Sequence, residues 1–131
     1  MTLRRLLLVL SGGTIGTAAR LGLALVIPDA GGFPVATFVA NVVGSFLIGV
    51  LSAWPLEERR GAVELRLLLG TGMLGGFTTY SAFTTGTVAL WADALPLALL
   101  YAAGSIVVGL ASAAAGIVAA PRIARHRGGR S

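Results

Sequence analysis

The sequence predicts an all-α membrane protein of four transmembrane helices, and three observations carry that prediction. Of 131 residues, 56% are hydrophobic and only 11% charged, whereas soluble domains carry about 25% charged residues. A helix crosses a bilayer with roughly 20 apolar residues, so the chain has room for four spans and for no separate soluble domain. All five carboxylates, Asp29, Glu57, Glu58, Glu64 and Asp93, lie between long apolar runs or at their ends.

The first span is expected over 6–27, after Arg4 and Arg5, with Arg20 near its end. Two arginines followed by an apolar run also open a signal peptide, but three further apolar runs argue for a span. Pro28-Asp29-Ala30-Gly31-Gly32 is turn chemistry, so the chain reverses there into a second span over 34–54. The loop that follows holds Glu57, Glu58, Arg59 and Arg60, and a third apolar segment runs over 65–91. Asp93 separates it from a fourth over 94–120, where Pro121 and Arg122 mark the exit. The Gly/Arg tail over 122–131 is expected to be disordered. Trp54 and Trp91 sit at span ends, where the bilayer interface holds tryptophan.

Charge orients this arrangement. With four spans both termini share a side, which gathers Arg4, Arg5, Arg59, Arg60, Arg66, Arg122, Arg125, Arg127 and Arg130, leaving Arg20 alone opposite. Positive charge marks the cytoplasmic side, so the termini and the charged loop are expected there, in a multi-pass protein of the cell membrane. The arginine tail reads as this orienting flank and not as a nucleic-acid arm.

The spans are smooth and mostly passive in chemistry. Gly12 and Gly16, Ala40 and Gly44, Gly72 and Gly76, and Ser105 and Gly109 are small residues four apart, the spacing that lets helix backbones approach closely in lipid. A bundle packed this way leaves no interior pore, so transport implies an oligomer. In the third span Gly72, Gly75, Gly76, Thr78 and Thr79 are weak helix formers at mid-membrane depth. Either the helix breaks there or it presents a Gly/Thr packing face; a break is the favoured reading, exposing carbonyls to a cation and N–H groups to an anion. Asn41 shares a helix face with Thr37 and Ser45 and must meet either a partner helix or an aqueous path. Tyr101 and Ser105 form a similar pair in the fourth span, open to the same two readings.

Absences narrow the function. No carboxylate lies within a span, and the single histidine, His126, is in the tail. A proton-coupled small multidrug exporter needs an acid at depth, so that alternative is disfavoured. No cysteine, nucleophile–base pair, phosphate loop or metal-ligand cluster is present, which argues against an enzyme. Hydroxyls, one amide, aromatic edges and one arginine suit an anion better than a cation.

These residues resemble the Fluc/CrcB family of small fluoride channels. Gly12-Gly13-Thr14-Ile15-Gly16-Thr17-Ala18-Ala19-Arg20 is similar to its first-span motif, and Asn41 centres a second span like the family's. The stretch from Gly72 to Phe83, Gly72-Met73-Leu74-Gly75-Gly76-Phe77-Thr78-Thr79-Tyr80-Ser81-Ala82-Phe83, resembles its Gly-Gly-x-Thr-Thr-Phe-Ser-Thr-Phe segment.

The resemblance implies a dual-topology channel of two antiparallel subunits that exports cytoplasmic fluoride passively. It implies a fluoride pathway through Asn41, Tyr80, Phe83, Ser81, Tyr101 and Ser105, with Thr37 beside it, and Arg20 near the vestibule. It also implies a structural sodium ion at the dimer interface, held by the carbonyls of Gly75 and Thr78. Tyr80 stands where phenylalanine is common and Ala82 where a threonine hydroxyl is usual. Together with the arginine bias, these departures fit a chain of fixed orientation whose partner is a sister homologue, in which one pathway is degenerate, or a non-conducting subunit of such a pair.

Overall fold

The computed structural model describes residues 2–56 and 60–128, with side chains described through residue 124. Glu57, Glu58 and Arg59 of the charged loop therefore lie outside the described residues. In chain order the elements are α1 (Leu3–Val26), α2 (Val35–Ala53), α3 (Ala62–Arg66), a π-helical stretch (Leu67–Leu74), α4 (Gly75–Phe77), α5 (Tyr80–Asp93) and α6 (Leu95–Gly128). There is no strand among the described residues.

Three helices are long and apolar enough to cross a membrane: α1, α2 and the Leu95–Ala124 part of α6. At 1.5 Å per residue α1 and α2 extend about 36 and 28 Å, close to the roughly 30 Å hydrocarbon core. The apolar segment over 65–91 is not one helix. It opens as a wide π coil, closes into the short α4, goes extended at Thr78 (φ −77°, ψ 155°) and Thr79 (φ −149°, ψ 121°), and resumes as α5. The break is where the glycines and threonines lower helix propensity. The π stretch just before it was not signalled by any periodicity.

The α1–α2 connection is a two-residue hairpin turn. Gly31 and Gly32 both take positive φ (59° and 84°), and Ala30 and Phe33 exchange N–H···O bonds of 3.1 and 3.0 Å. That backbone strongly favours glycine. At the other end of the chain, α6 runs past Pro121 to Gly128, so residues 122–128 of the tail expected to be disordered are helical, and 129–131 lie outside the described residues. Pro121 comes about 39 Å along the helix, beyond the thickness of a hydrocarbon core, where water can serve the carbonyl its missing N–H leaves open. Residues 122–127 contain no glycine or second proline to stop the coil.

Packing is by backbone contact. α1 lies on the π stretch and α4, α2 lies on α6, and α5 covers α6. A Cβ on Gly16 would run into the Met73 carbonyl, and one on Gly72 would come within 2.9 Å of the Val9 carbonyl. Thus Gly12/Gly16 and Gly72/Gly76 face each other. The α2–α6 seam uses Gly49 against Ala113 and Gly116 against Phe46, a pair that four-residue spacing did not reveal. Ser112 Oγ also donates to the Val42 carbonyl there at 2.8 Å. The apolar core is Leu90, Ala98 and Tyr101 with Phe33, Phe38, Phe83 and Leu97 around them. At the arginine-rich end, Arg4 pairs with Glu64 at 3.1 Å and Arg66 donates to the Trp54 carbonyl at 3.4 Å. These contacts put the start of α1, the end of α2 and α3 together.

Gly16→Ala should destabilise the fold by about 1–3 kcal/mol, because the Met73 backbone cannot yield to a methyl group. Gly22→Ala is the matched control: nothing lies within 4 Å of its Cβ position, and the same change should gain about 0.5–1 kcal/mol of helix propensity. Thermal unfolding in detergent compares the two, and equal effects would contradict this packing.

Candidate functional site

The break in the third segment leaves backbone groups that a helix would have paired. Thr78 closes α4 by donating both its N–H and its Oγ1–H to the Leu74 carbonyl, each at 2.9 Å. Thr79 caps α5, its Oγ1 accepting from the Ala82 N–H at 3.1 Å and lying 3.0 Å from Ser81 Oγ. The rest of Thr79 is held by α2. Its N–H donates to Asn41 Oδ1 at 2.8 Å, and its carbonyl accepts from Asn41 Nδ2 at 3.1 Å. One carboxamide thus satisfies both backbone groups of one extended residue, so Asn41 meets its partner helix directly.

Among the carbonyls that lose their helical donors at the break are those of Gly75 and Thr78. The N–H of Thr79 goes to Asn41 and not to Gly75, and the N–H of Ala82 goes to Thr79 Oγ1 and not to Thr78. Between them the Gly76 carbonyl is taken from the α1 side by Thr17 Oγ1 (3.4 Å) and Arg20 Nε (3.3 Å). Gly75 and Thr78 therefore offer neutral oxygens of the kind that unwound membrane helices present to a monovalent cation. Among the described residues no cluster of three His, Cys, Asp or Glu side chains stands as an alternative metal centre.

Beside the break lies an open groove of about 430 Å³, lined by Asn41, Ser45, Ile48, Thr78, Thr79, Tyr80, Phe83, Ser105 and Ile106. Of the residues anticipated from sequence it brings together Asn41, Tyr80, Phe83, Ser105 and Thr78. Ser81 reaches its edge through Thr79. Tyr80 is 78% exposed, and its ring lies 6.0 Å from that of Phe83, which in turn lies 5.5 Å from Tyr101. Tyr101 is fully buried and meets Phe33 edge-on at 5.1 Å and 85°. The Tyr101 hydroxyl and Ser105 Oγ are buried without a hydrogen-bond partner among the described residues, although buried polar atoms are nearly always paired.

Besides Ser81 at its edge, four anticipated residues do not line this groove: the buried Tyr101, whose ring meets that of Phe83, and three that stand further off. Thr37 is half-buried one turn before Asn41, Gly75 lies on the far side of the break, and Arg20 is engaged with Gly76 on α1's face. Thr79, which organises the break, was read from sequence as a weak helix former there and not as a site residue; the further signal is an N-cap hydroxyl three residues before the N–H it accepts. Ser45 and Ile48 continue Asn41's helical face and were legible only as spacing.

The chain matches the family model "CrcB-like protein, Camphor Resistance (CrcB)" over residues 7–117. It is 48% identical over 113 residues to a fluoride-specific ion channel FluC of Chlorobaculum tepidum, covering 85% of this chain and 90% of that one. The FluC of Novosphingobium aromaticivorans is 50% identical over 105 residues, 76% and 82% of the two chains. A fluoride-specific ion channel FluC 2 of Leifsonia xyli subsp. xyli is 44% identical over 133 residues, 95% and 89%.

Replacing Asn41 with alanine unpairs the Thr79 N–H and C=O together, each worth about 1–3 kcal/mol when left buried. Asn41→Ala should lower the unfolding temperature in detergent by several degrees. Ser45→Ala, on the same helix face but carrying none of these bonds, should leave it nearly unchanged.

Proposed function

The chain belongs to the CrcB family, and on that premise we propose that it is a fluoride channel subunit that lets cytoplasmic fluoride leave the cell down its gradient. It is a multi-pass membrane channel protein and not an enzyme. The observation that carries the reading is the groove beside Asn41, which gathers the Asn41 amide, the Ser45, Thr78, Thr79 and Ser105 hydroxyls and the rings of Tyr80 and Phe83.

Fluoride is small and strongly hydrated, so a selective path must replace water with donors. Asn41 Nδ2 has two N–H groups and spends one on Thr79. Ser105 Oγ and the Tyr101 hydroxyl are unpartnered, and each can turn its hydrogen toward an anion. The rings of Tyr80 and Phe83 line the groove; an aromatic edge carries positive charge that a dehydrated anion can meet, and the bulk of the rings would exclude larger halides.

The assembly follows from the same features. The segment over 65–91 crosses the membrane as a fourth, broken span. A groove open along one side needs a second chain to close it, and an antiparallel partner, either a second copy or a sister homologue, would supply that wall. The Gly75 and Thr78 carbonyls of each chain would hold a sodium ion where the two breaks meet; when bound, the ion adds positive charge that ties the subunits together. The arginine distribution supports cytoplasmic termini, and it favours a second reading in which this chain has one fixed orientation and pairs with a sister of opposite orientation.

The test is fluoride efflux from liposomes containing this protein alone, followed with an ion-selective electrode, with chloride as the control. Fluoride should leave and chloride should not. Asn41→Asp places a negative charge in the path, worth about 4 kcal/mol against an anion 4 Å away at an effective dielectric of 20, and should slow efflux on the order of a hundredfold or more. Silence from the protein alone, relieved by co-expressing a homologue, would assign the sister pair. Chloride efflux equal to fluoride would end the proposal.

A further inference from the structure

A hydroxyl inside a helix can satisfy itself by donating to the carbonyl three or four residues earlier. Several here do so: Ser52 donates to Gly49 at 2.8 Å, Thr84 to Tyr80 at 3.0 Å and Thr87 to Phe83 at 2.8 Å. Ser45, in the middle of α2, does not. It is half-buried in the wall of the Asn41 groove, and its hydroxyl makes no hydrogen bond among the described residues.

The packing of α2 on α6 shows where that hydroxyl faces. A Cβ built on Gly109 would come within 3.6 Å of Ser45 Oγ, and one on Gly49 would run into the Ala113 carbonyl, so the two helices run in the same direction with Ser45 against Gly109 and Gly49 against Ala113. Four residues earlier on each helix stand Asn41 and Ser105, which both line the groove, and Ser105 Oγ is buried without a partner among the described residues. The seam therefore has two polar tiers, Asn41 with Ser105 and then Ser45 with the bare backbone of Gly109. At the next turn the Gly49–Ala113 contact shuts it, and Ile48 continues the wall as hydrocarbon.

We infer that Ser45 is a second anion-binding residue of the groove. Its hydroxyl holds a small, partly dehydrated anion about 6 Å from the Asn41 tier, on the side of the arginine-rich end, and Gly109 leaves that hydroxyl uncovered. The inference rests on the fluoride reading above for the identity of the ion. A serine hydroxyl has one hydrogen to give, and at Ser45 no protein acceptor takes it. Two donor tiers a helical turn apart let an ion leave one as it reaches the other, with its lost water replaced at each.

Binding is read first without conduction. At fixed sodium and ionic strength, exchanging chloride for fluoride should raise the unfolding temperature of the purified protein in detergent, as a ligand of the folded state does. Ser45→Ala removes a donor to an ion and should raise the fluoride concentration that gives half this rise roughly tenfold, with unfolding in chloride unchanged. In liposomes the fluoride dependence of initial efflux should shift by a similar factor, measured on the protein alone or, where that is silent, with the homologue that restores efflux. Gly109→Ala sets a methyl group against the Ser45 hydroxyl and should reproduce the shift, and the double variant should be no worse than Ser45→Ala, since both changes act on one hydroxyl. Ser52→Ala, two turns further along α2, should behave as the unmodified chain. Selective fluoride efflux with the same fluoride dependence in Ser45→Ala overturns the Ser45 site and leaves the fluoride reading standing. Additive shifts in the double variant overturn the part given to Gly109. An unmodified chain that fluoride does not stabilise and that passes none, with or without a homologue, removes both readings.

Discussion

The pair of hydrogen bonds between the Asn41 carboxamide and the backbone of Thr79 is what permits the third segment to break. An extended residue inside a membrane protein has an N–H and a C=O that no helix serves and no lipid can. Asn41 supplies an acceptor at 2.8 Å and a donor at 3.1 Å, matching both with one side chain. The consequences run along the chain. Because Thr79 gives its N–H to Asn41, the Gly75 carbonyl loses its donor, and because the Thr79 hydroxyl caps α5, so does that of Thr78. A single amide on α2 and one threonine hydroxyl therefore take up N–H groups that a continuous helix would have returned to Gly75 and Thr78.

That arrangement requires close backbones, and the small residues provide them. Gly44, one turn beyond Asn41, leaves room that the Thr78 methyl group occupies, so α2 seats both threonines of the break with residues three apart. On the other side, Gly12 and Gly16 bring α1 onto the π stretch and α4, which places Thr17 and Arg20 on the Gly76 carbonyl. The break is thus clamped from two helices. The wider π turn that precedes it puts extra backbone into the segment just where these contacts are made.

The apolar runs, the glycine hairpin and the position of the break were legible in the sequence because each rests on local chemistry. Gly31 and Gly32 name their own turn, and adjacent glycines and threonines mark weak helix. Gly12/Gly16 and Gly72/Gly76 were readable as small-residue spacing but not as partners of each other, and Gly49 against Ala113 and Gly116 against Phe46 become a seam only once α2 meets α6. Asn41 was readable as a costly amide but not as a cap for Thr79, 38 residues away. Arg20 shows the same limit: its charge is plain in the sequence, and its commitment to Gly76 depends on how α1 packs.

The polar inventory of the groove also bears on the missing hydroxyl at Ala82. Its backbone N–H is bonded to Thr79 Oγ1, which lies 3.0 Å from Ser81 Oγ. Thr79 and Ser81 hold two hydroxyl hydrogens, and their mutual bond consumes one whichever group donates. The other remains for an anion, so the pair can stand in for the donor that residue 82 lacks. Tyr80, 78% exposed, adds a further hydroxyl to the groove's lining. Neither substitution removes a donor from the deep wall, where Asn41 and Ser105 sit. Both departures therefore leave the groove's polar wall intact, and the hydroxyls that Tyr80 and the Thr79–Ser81 pair carry lie at its accessible side.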